Sequence, residues 1–360
     1  MKIAIVGSGI VGMACAWRLS RSKAKVHVFD GNTESHEASW AAAGMLAPHH
    51  EATGPTPLWE LCRDSLQAWR KFPSQLDLAA HEIDLRFGGG WVPVFDEDVH
   101  RQLMKKRDWL REQGVQVQWL GRDAALELQP HFNSTILGAL QIDGGHVDPR
   151  KVCKQLRIKG EKQGVKFHLG KKVIDLNQGE LTLENGKKST FDHVVLAAGA
   201  WTPGLARITG LDLKGLPVKG QMLRFAAHSS LSMGHFVHSE EAYAVQREDG
   251  SLVIGSTMEE DGFDRTDNPE SIQRLTQGAR RVFPCLEEVN VVETWTGLRP
   301  KLRGGQPFIS KVNDYLTVAT GHFRNGILLT PITAKLVESL VLKNGSLGDL
   351  VYAKAFSELP

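Results

Sequence analysis

One short stretch constrains this chain more than any other. Residues 2–30 read, in order, as strand, glycine turn, helix, strand and acid. The run Lys-Ile-Ala-Ile-Val at Lys2–Val6 is apolar and β-rich, and it enters Gly7-Ser8-Gly9-Ile10-Val11-Gly12 directly. A helical stretch carrying Ala14, Trp17 and Leu19 follows, and a second strand, Lys25–Phe29, ends on Asp30. Each piece meets one need of a dinucleotide. Gly7 permits the tight strand-to-helix turn, Gly9 has no side chain to block a pyrophosphate, and Gly12 lets the helix pack closely on the strand. The helix N-terminus offers N–H groups and a partial positive charge to phosphates. Asp30 stands where a carboxylate can accept hydrogen bonds from ribose hydroxyls. An ordinary glycine-rich turn would not need that acid.

The rest of the composition narrows the partners. The chain has 360 residues, enough for two modest domains with a sizeable core. Its 43 basic and 41 acidic residues leave a net charge of +2, which gives no electrostatic case for nucleic acid. The basic run Lys105-Lys106-Arg107 reads as the solvated side of a helix whose Val99, Leu103 and Leu110 share the other face. Four scattered cysteines (Cys15, Cys62, Cys153 and Cys285) form no Cys-x-x-Cys pair, so neither a zinc site nor a redox pair is expected. Cys15 reads as a small buried hydrophobe. The N-terminus enters a strand at once, and no apolar run approaches the ~20 residues of a membrane span. A cytoplasmic location follows as the expectation.

Strand-like and helical runs alternate at both ends of the chain, which predicts a parallel, helix-covered sheet. Between them the texture changes. Residues 88–95 suggest a bent strand, 97–113 a polar helix and 115–120 another strand. Pro149 suits the first turn of a helix through Val152 and Leu156. Strands are predicted at 165–169, 173–176 and 194–197, with a hairpin turning at Asn185-Gly186. Further strands are predicted at 222–225, 242–246 and 252–254, a helix near 269–282, a strand at 316–319 and a helix at about 331–343. The fold class is therefore α/β with an α+β second domain. A discontinuous Rossmann-like nucleotide domain spans 1–75, 147–215 and 306–360. A sheet-rich substrate domain is built from 76–146 and 216–305.

A single Gly-x-Gly-x-x-Gly implies one dinucleotide, and fold physics alone leaves NAD and FAD both open. Three further segments bear on the choice. Residues 39–46 read Ser-Trp-Ala-Ala-Ala-Gly-Met-Leu, whose small side chains let a backbone approach a flat ring. Residues 197–201, Ala-Ala-Gly-Ala-Trp, place a glycine at a strand end. Residues 321–327, Gly-His-Phe-Arg-Asn-Gly-Ile, form another strand-to-helix turn, whose N–H groups suit negative charge on a reduced flavin.

With the N-terminal unit, these segments resemble the D-amino-acid-oxidase superfamily of flavoproteins, and most of all its glycine-oxidase branch. The most specific pieces are Ala41-Ala42-Ala43-Gly44-Met45-Leu46, Trp295-Thr296-Gly297-Leu298-Arg299-Pro300 and residues 321–329. The resemblance covers essentially the whole chain. It implies noncovalent FAD, which agrees with the lack of any cysteine after Cys285. It also implies a small amine or amino acid substrate, oxygen as electron acceptor and a place in thiamine synthesis. Related proteins often form homo-oligomers, but no interface is readable here. By resemblance, FAD is held by Gly7, Gly9, Ile10, Val11, Gly12, Asp30, Gly31, Ala42, Ala43, Gly44, Met45, Val173, Ala198, Gly199 and Trp201. Arg299, His322, Arg324, Asn325, Gly326 and Ile327 complete that set.

Flavin amine oxidation needs little acid–base machinery, because the α-hydrogen leaves as hydride to flavin N5. No catalytic base is therefore assigned. The protein must hold the α-carbon over the ring and bind the carboxylate. An arginine fork suits a carboxylate because it makes two parallel charge-assisted bonds. The resemblance gives that role to Arg299, helped by the Tyr243 hydroxyl, with Arg324 at the flavin and pocket edge and Met258 lining the pocket. One departure bears on scope. Where the family often has Tyr-Ile-Val-Pro-Arg, this chain has Tyr243-Ala244-Val245-Gln246-Arg247, preceded by Glu240-Glu241. Substrates beyond glycine, among them sarcosine and small D-amino acids, enter the expected range. No metal is expected: His49-His50-Glu51 lacks partners at ligand spacing. The alternatives are a D-amino-acid dehydrogenase passing electrons to a quinone or other carrier, and a flavin subunit of a larger dehydrogenase.

Overall fold

Parallel strands cannot be joined by tight turns, so a parallel sheet collects helices on its faces. The N-terminal unit behaves this way. Lys2–Val6 pairs in parallel with Lys25–Phe29, and the helix Ile10–Ser20 makes the crossover. The computed structural model describes residues 1–34, 37–229, 231–342 and 355–356. On the other side of Lys2–Val6 lies His193–Leu196, then Leu316–Thr320, both parallel. Lys166–His168 extends the far edge in parallel, and Phe308–Asn313 closes the near edge antiparallel. Strand residues alternate between faces. Ile3, Ile5, Val28 and Val195 pack with Trp17, Trp69 and Leu336 in one core, while Ala4, Val6, Val194 and Leu196 face another containing Leu181 and Phe191.

The second sheet has eight strands. In spatial order they are Val291–Leu302, Gly215–Phe225, Leu252–Gly255, Tyr243–Gln246, Phe236–His238, Gly90–Val94, Gly138–Ile142 and Val117–Gly121. Only the pairing of Phe236–His238 with Gly90–Val94 is parallel. Trp91, Leu223, Phe225 and Ile254 from this sheet pack with Leu275 and Phe283 in a separate core. The mixed α/β architecture agrees with the expected fold class.

Several elements lie where the sequence places them. The helix Pro269–Val282 matches its expected bounds, and Glu97–Glu112 and Gly90–Val94 fall within theirs. Pro149–Lys162 starts on its proline, and the Asp148 carboxylate caps it by accepting from the N–H groups of Arg150 and Lys151. The hairpin at Asn185-Gly186 pairs Leu181 with Ser189. The last helix is Thr330–Leu342, and the expected final residue, 343, lies outside the described residues. The strand expected at 222–225 begins seven residues earlier, at Gly215. Its polar Lys219 and Gln221 break the apolar pattern, yet both are buried and bonded to Glu259. Several elements have no counterpart in the sequence reading, the longest being Pro57–Gln75 and Val291–Leu302. The first carried a readable signal, because the Thr56 hydroxyl caps Pro57-Leu58-Trp59 and the buried Cys62, Leu66, Trp69 and Phe72 recur at helical spacing.

The described cysteines are free thiols, and burial pushes that of Cys15 up to about 12. Among the described residues no helix is long and apolar enough to cross a membrane.

Burial also sets an acid limit. It pushes His49, His193, His235 and His322 down to about 4, and His146 to about 3. The unfolded chain takes up protons at these positions near pH 6.5, whereas the fold resists uptake until about pH 4. The contribution is complete above about pH 7 and is lost as the pH falls toward 4, at up to about 1.4 kcal/mol per pH unit for each histidine. The thermal unfolding midpoint should fall by at least about 5 °C between pH 7 and pH 5. A flat midpoint over that interval would show that these imidazoles already carry protons in the fold.

Candidate active site

In an open parallel sheet, ligands bind beyond the carboxyl ends of the strands. Here those ends release Gly7 after Val6, Asp30 after Phe29, Ala197-Ala198-Gly199 after Leu196 and Gly321 after Thr320. They open onto a cavity of about 710 Å³ that continues beneath the second sheet to Tyr243 and Arg299.

The nucleotide end is built around close approaches. Gly7 has φ +111°, and a Cβ there would lie 2.3 Å from the Ala197 carbonyl oxygen, so no other residue fits. Asp30 is fixed by three donors: Ser8 N–H at 2.7 Å, Ser8 Oγ at 2.8 Å and Asn32 N–H at 2.9 Å. Its carboxylate still lines the cavity. The Ser39 hydroxyl accepts from Ile10 N–H at 3.0 Å, tying the helix start to the segment that follows Asp30.

The middle of the cavity is walled by the small-residue turn at 41–45. Gly44 has φ +87°, and a Cβ there would meet the Val147 carbonyl oxygen at 2.0 Å. The turn is held from the second sheet. Trp295 donates its indole N–H to the Ala41 carbonyl at 2.9 Å, and Gly297 allows Ala41 to approach the strand. Behind it, the Arg150 guanidinium stacks 3.6 Å over the Trp40 ring. On the opposite side, His322 binds the Thr333 hydroxyl at 3.0 Å, and Thr320 Oγ1 donates to the Gly199 carbonyl at 3.1 Å.

Two polar side chains mark the far end. Arg299 Nη1 donates to the Thr257 carbonyl at 3.1 Å, and Nη2 donates to Ser256 Oγ. The guanidinium fits because Gly220 has no side chain: a Cβ there would lie 2.2 Å from Nη1. Gly255 does the same for the Tyr243 hydroxyl, at 2.5 Å. That hydroxyl donates to Met222 Sδ at 3.4 Å, a weak acceptor.

The structure brings most of the expected site residues to one cavity. Gly7, Gly9, Ile10, Val11, Asp30 and Gly31 line its nucleotide end, with Val173 beside them. Ala42, Ala43, Gly44, Met45, Ala198, Gly199 and Trp201 line the middle. Arg299, Tyr243, His322, Arg324, Asn325, Gly326 and Ile327 line the remainder. Two are placed elsewhere. Gly12 packs against the strand turn, where a Cβ would lie 2.0 Å from the Gly7 carbonyl oxygen, so it shapes the site without facing it. Met258 is 58% exposed and touches Arg324 from outside the wall. It sits just past the strand end at Gly255, where the chain has already turned outward. The sequence reading missed Gly220, Met222, His238 and His50 on the wall. For Gly220 the missed signal was its place between the polar Lys219 and Gln221 in an otherwise largely apolar run. His49, His50 and Glu51 diverge: His49 accepts from the Trp59 indole, His50 lines the cavity and Glu51 pairs with Arg324.

The sequence profile described as FAD dependent oxidoreductase, DAO, matches residues 2–340. The chain belongs to the DAO family of FAD-dependent oxidoreductases. It is 31% identical over 350 residues to the glycine oxidase of Bacillus licheniformis, spanning 94% of this chain and 92% of that one. It is 34% identical over 352 residues to the bifunctional protein ThiO/ThiG of Synechocystis sp., spanning 94% of this chain and 51% of that protein. Its fold superposes on the crystal structure of glycine oxidase from Geobacillus kaustophilus with a TM-score of 0.91 at 29% identity, covering 99% and 98% of the two chains. FAD, the cofactor of the family, fits what the residues offer: a glycine turn at a helix start, a carboxylate at the second strand and a long cavity walled by alanine and glycine. None of the described cysteines lines that cavity.

The Gly220 contact is testable. Gly220→Ala should displace the Arg299 guanidinium and weaken a small carboxylate such as acetate by at least about tenfold. Titration of the FAD-loaded protein, followed by flavin absorbance, reads this directly. Unchanged affinity would mean that Arg299 does not meet carboxylates from its observed position.

Proposed function

We propose that this protein oxidises a small amino acid or amine (glycine, sarcosine or a small D-amino acid) to the imine and oxo acid, and passes the electrons to oxygen to give hydrogen peroxide. The single observation that carries the reading is the Arg299 guanidinium, held at the end of a dinucleotide-sized cavity beside the Tyr243 hydroxyl. A guanidinium has five donors. The bonds to Thr257 and Ser256 fix its plane and leave donors for a carboxylate. The Tyr243 hydroxyl exchanges its weak sulfur contact for the same carboxylate. Together they orient the α-carbon, and the alanine-rich turn at 41–45 and the turn at 321–327 hold the opposing walls close. Bound FAD supplies the two-electron acceptor. In this reading the cofactor domain comprises 1–75, 147–215 and 306–360, and the substrate domain 76–146 and 216–305. Likeness to the ThiO/ThiG relative supports a role in thiamine synthesis, and the unpaired thiols support a cytoplasmic setting.

The FAD-loaded protein should bleach when mixed anaerobically with one of these amines and should recover its colour rapidly in air, with one peroxide formed per amine. Very slow recovery would move the electrons to a carrier other than oxygen. Arg299→Ala should lower kcat/KM by about 10²-fold or more, mostly through KM, as removal of one partner of a desolvated charge pair does. An unchanged KM for carboxylated amines would remove Arg299 from this role.

A further inference from the structure

The Arg299 guanidinium takes its aim from outside its own strand. Among the described residues it makes two hydrogen bonds, to the Thr257 carbonyl and the Ser256 hydroxyl, and no ion pair. Both acceptors are neutral, so they fix the plane of the guanidinium and leave its charge for a substrate carboxylate. Both also belong to the segment that follows the strand Leu252–Gly255. The guanidinium is therefore held only as firmly as residues 256–261 are held.

A buried ion pair anchors that segment to the second sheet. Lys219 and Gln221 lie on the strand Gly215–Phe225 and face away from Gly220 and Met222, which line the cavity. The Lys219 backbone pairs with that of Glu259 in both directions, at 2.8 and 3.0 Å. Its ammonium, in a residue only 3% exposed, meets Glu259 at 2.9 Å and Asp261 at 2.8 Å. Gln221 donates its side-chain amide to Glu259 at 2.8 Å and its backbone N–H to the Thr257 hydroxyl at 3.0 Å. Burial pushes the Glu259 carboxyl up, but hydrogen bonds from Lys219, Gln221, Thr257 and Ser271 prevail and hold it at about 2, so the pair is ionised near neutral pH. A buried pair contributes little stability beyond what apolar residues of the same volume give. Its charges are satisfied in one arrangement, however, and that fixes the segment that carries them.

We propose that the Lys219–Glu259 pair positions the substrate arginine: by pinning residues 256–261 to the second sheet, it aims the Arg299 guanidinium at the carboxylate of the amino acid. Neither Lys219 nor Glu259 lines the cavity, so both act through Ser256 and Thr257. The inference rests on the reading in which Arg299 meets that carboxylate.

The test uses the FAD-loaded protein. Flavin absorbance gives the dissociation constant of acetate, and turnover gives kcat and KM for sarcosine and D-alanine. Lys219→Met should weaken acetate by at least about tenfold and raise KM by a similar factor, with kcat kept within about threefold. In an Arg299→Ala background the same substitution should change acetate affinity by less than about twofold, because the route through Arg299 is already cut. An equal loss in both backgrounds would mean general loosening of the fold and would overturn the proposal. Acetate affinity in Lys219→Met within about twofold of the unaltered protein would do the same, as would a loss that fell on kcat with KM unchanged. If Lys219→Met does not fold or load FAD, Glu259→Gln, of the same shape, takes its place. A loss of at least about threefold is then expected, again absent in the Arg299→Ala background, and no loss would overturn the proposal. Acetate binding that ignores Arg299→Ala would remove both the role of that arginine and this inference. Arg299-dependent acetate binding with no amine oxidised would remove the proposed function and leave the positioning role standing.

Discussion

The approach of Gly7 to Ala197 governs how the rest of the molecule is arranged. A Cβ at Gly7 would lie 2.3 Å from the Ala197 carbonyl oxygen, closer than any side chain tolerates. That contact lets two neighbouring parallel strands end side by side without a barrier between them. Because the sheet is parallel, Asp30, Gly199 and Gly321 leave at the same edge. One crevice therefore collects an anion-favouring helix start, a carboxylate and two further turns, although their residues are up to more than 300 positions apart in sequence. The crevice needs no loop of its own design. It is a consequence of strand direction.

The second sheet completes the crevice through a single strand face. Side chains two residues apart along a strand share a face. In Val291–Leu302 that rule aligns Trp295, Gly297 and Arg299, which respectively bond the Ala41 carbonyl, allow Ala41 to approach, and present a guanidinium to the cavity. Opposite them on Gly215–Phe225 stand Met222, Gly220 and Val218. Gly220 clears the space that the guanidinium fills, and Met222 meets the Tyr243 hydroxyl. The small-residue turn at 41–45 and the Arg299 guanidinium are thus placed by one pleat, and a slip of one residue would turn all three side chains away together.

Legibility in the sequence followed the physics of each element. The N-terminal unit was readable because its glycines, helix and acid are local and their spacing is fixed by a ligand of known size. The helix Pro269–Val282 and the hairpin at Asn185-Gly186 were readable because capping and turn chemistry are local as well. The resemblance supplied Arg299 and Tyr243, which no periodicity would have singled out. Val291–Leu302 went unread because its face toward the cavity carries Gly297 and Arg299 where a core strand would carry apolar residues. The same holds at Lys219, buried against Glu259 and Asp261 at 2.9 and 2.8 Å. Met258 shows the limit of carrying a position over from relatives, since placing it near Arg324 did not place it on the wall.

The histidines near residue 50 make the complementary point. Adjacent in sequence, His49 and His50 suggest a shared task, yet the turn at 48–50 sends their rings to different neighbours. His49 turns to the Trp59 indole at 3.2 Å, a contact internal to the fold. His50 packs against Phe236 and Gly90, and neither ring nitrogen has a hydrogen-bond partner among the described residues. His193, by contrast, finds partners inside the chain in the Asp314 carbonyl and the Thr317 hydroxyl. An imidazole that is buried and unsatisfied is a cost to the folded state. That lack of partners, shared with His146, separates His50 from His193 more sharply than its depressed basicity, which all three share.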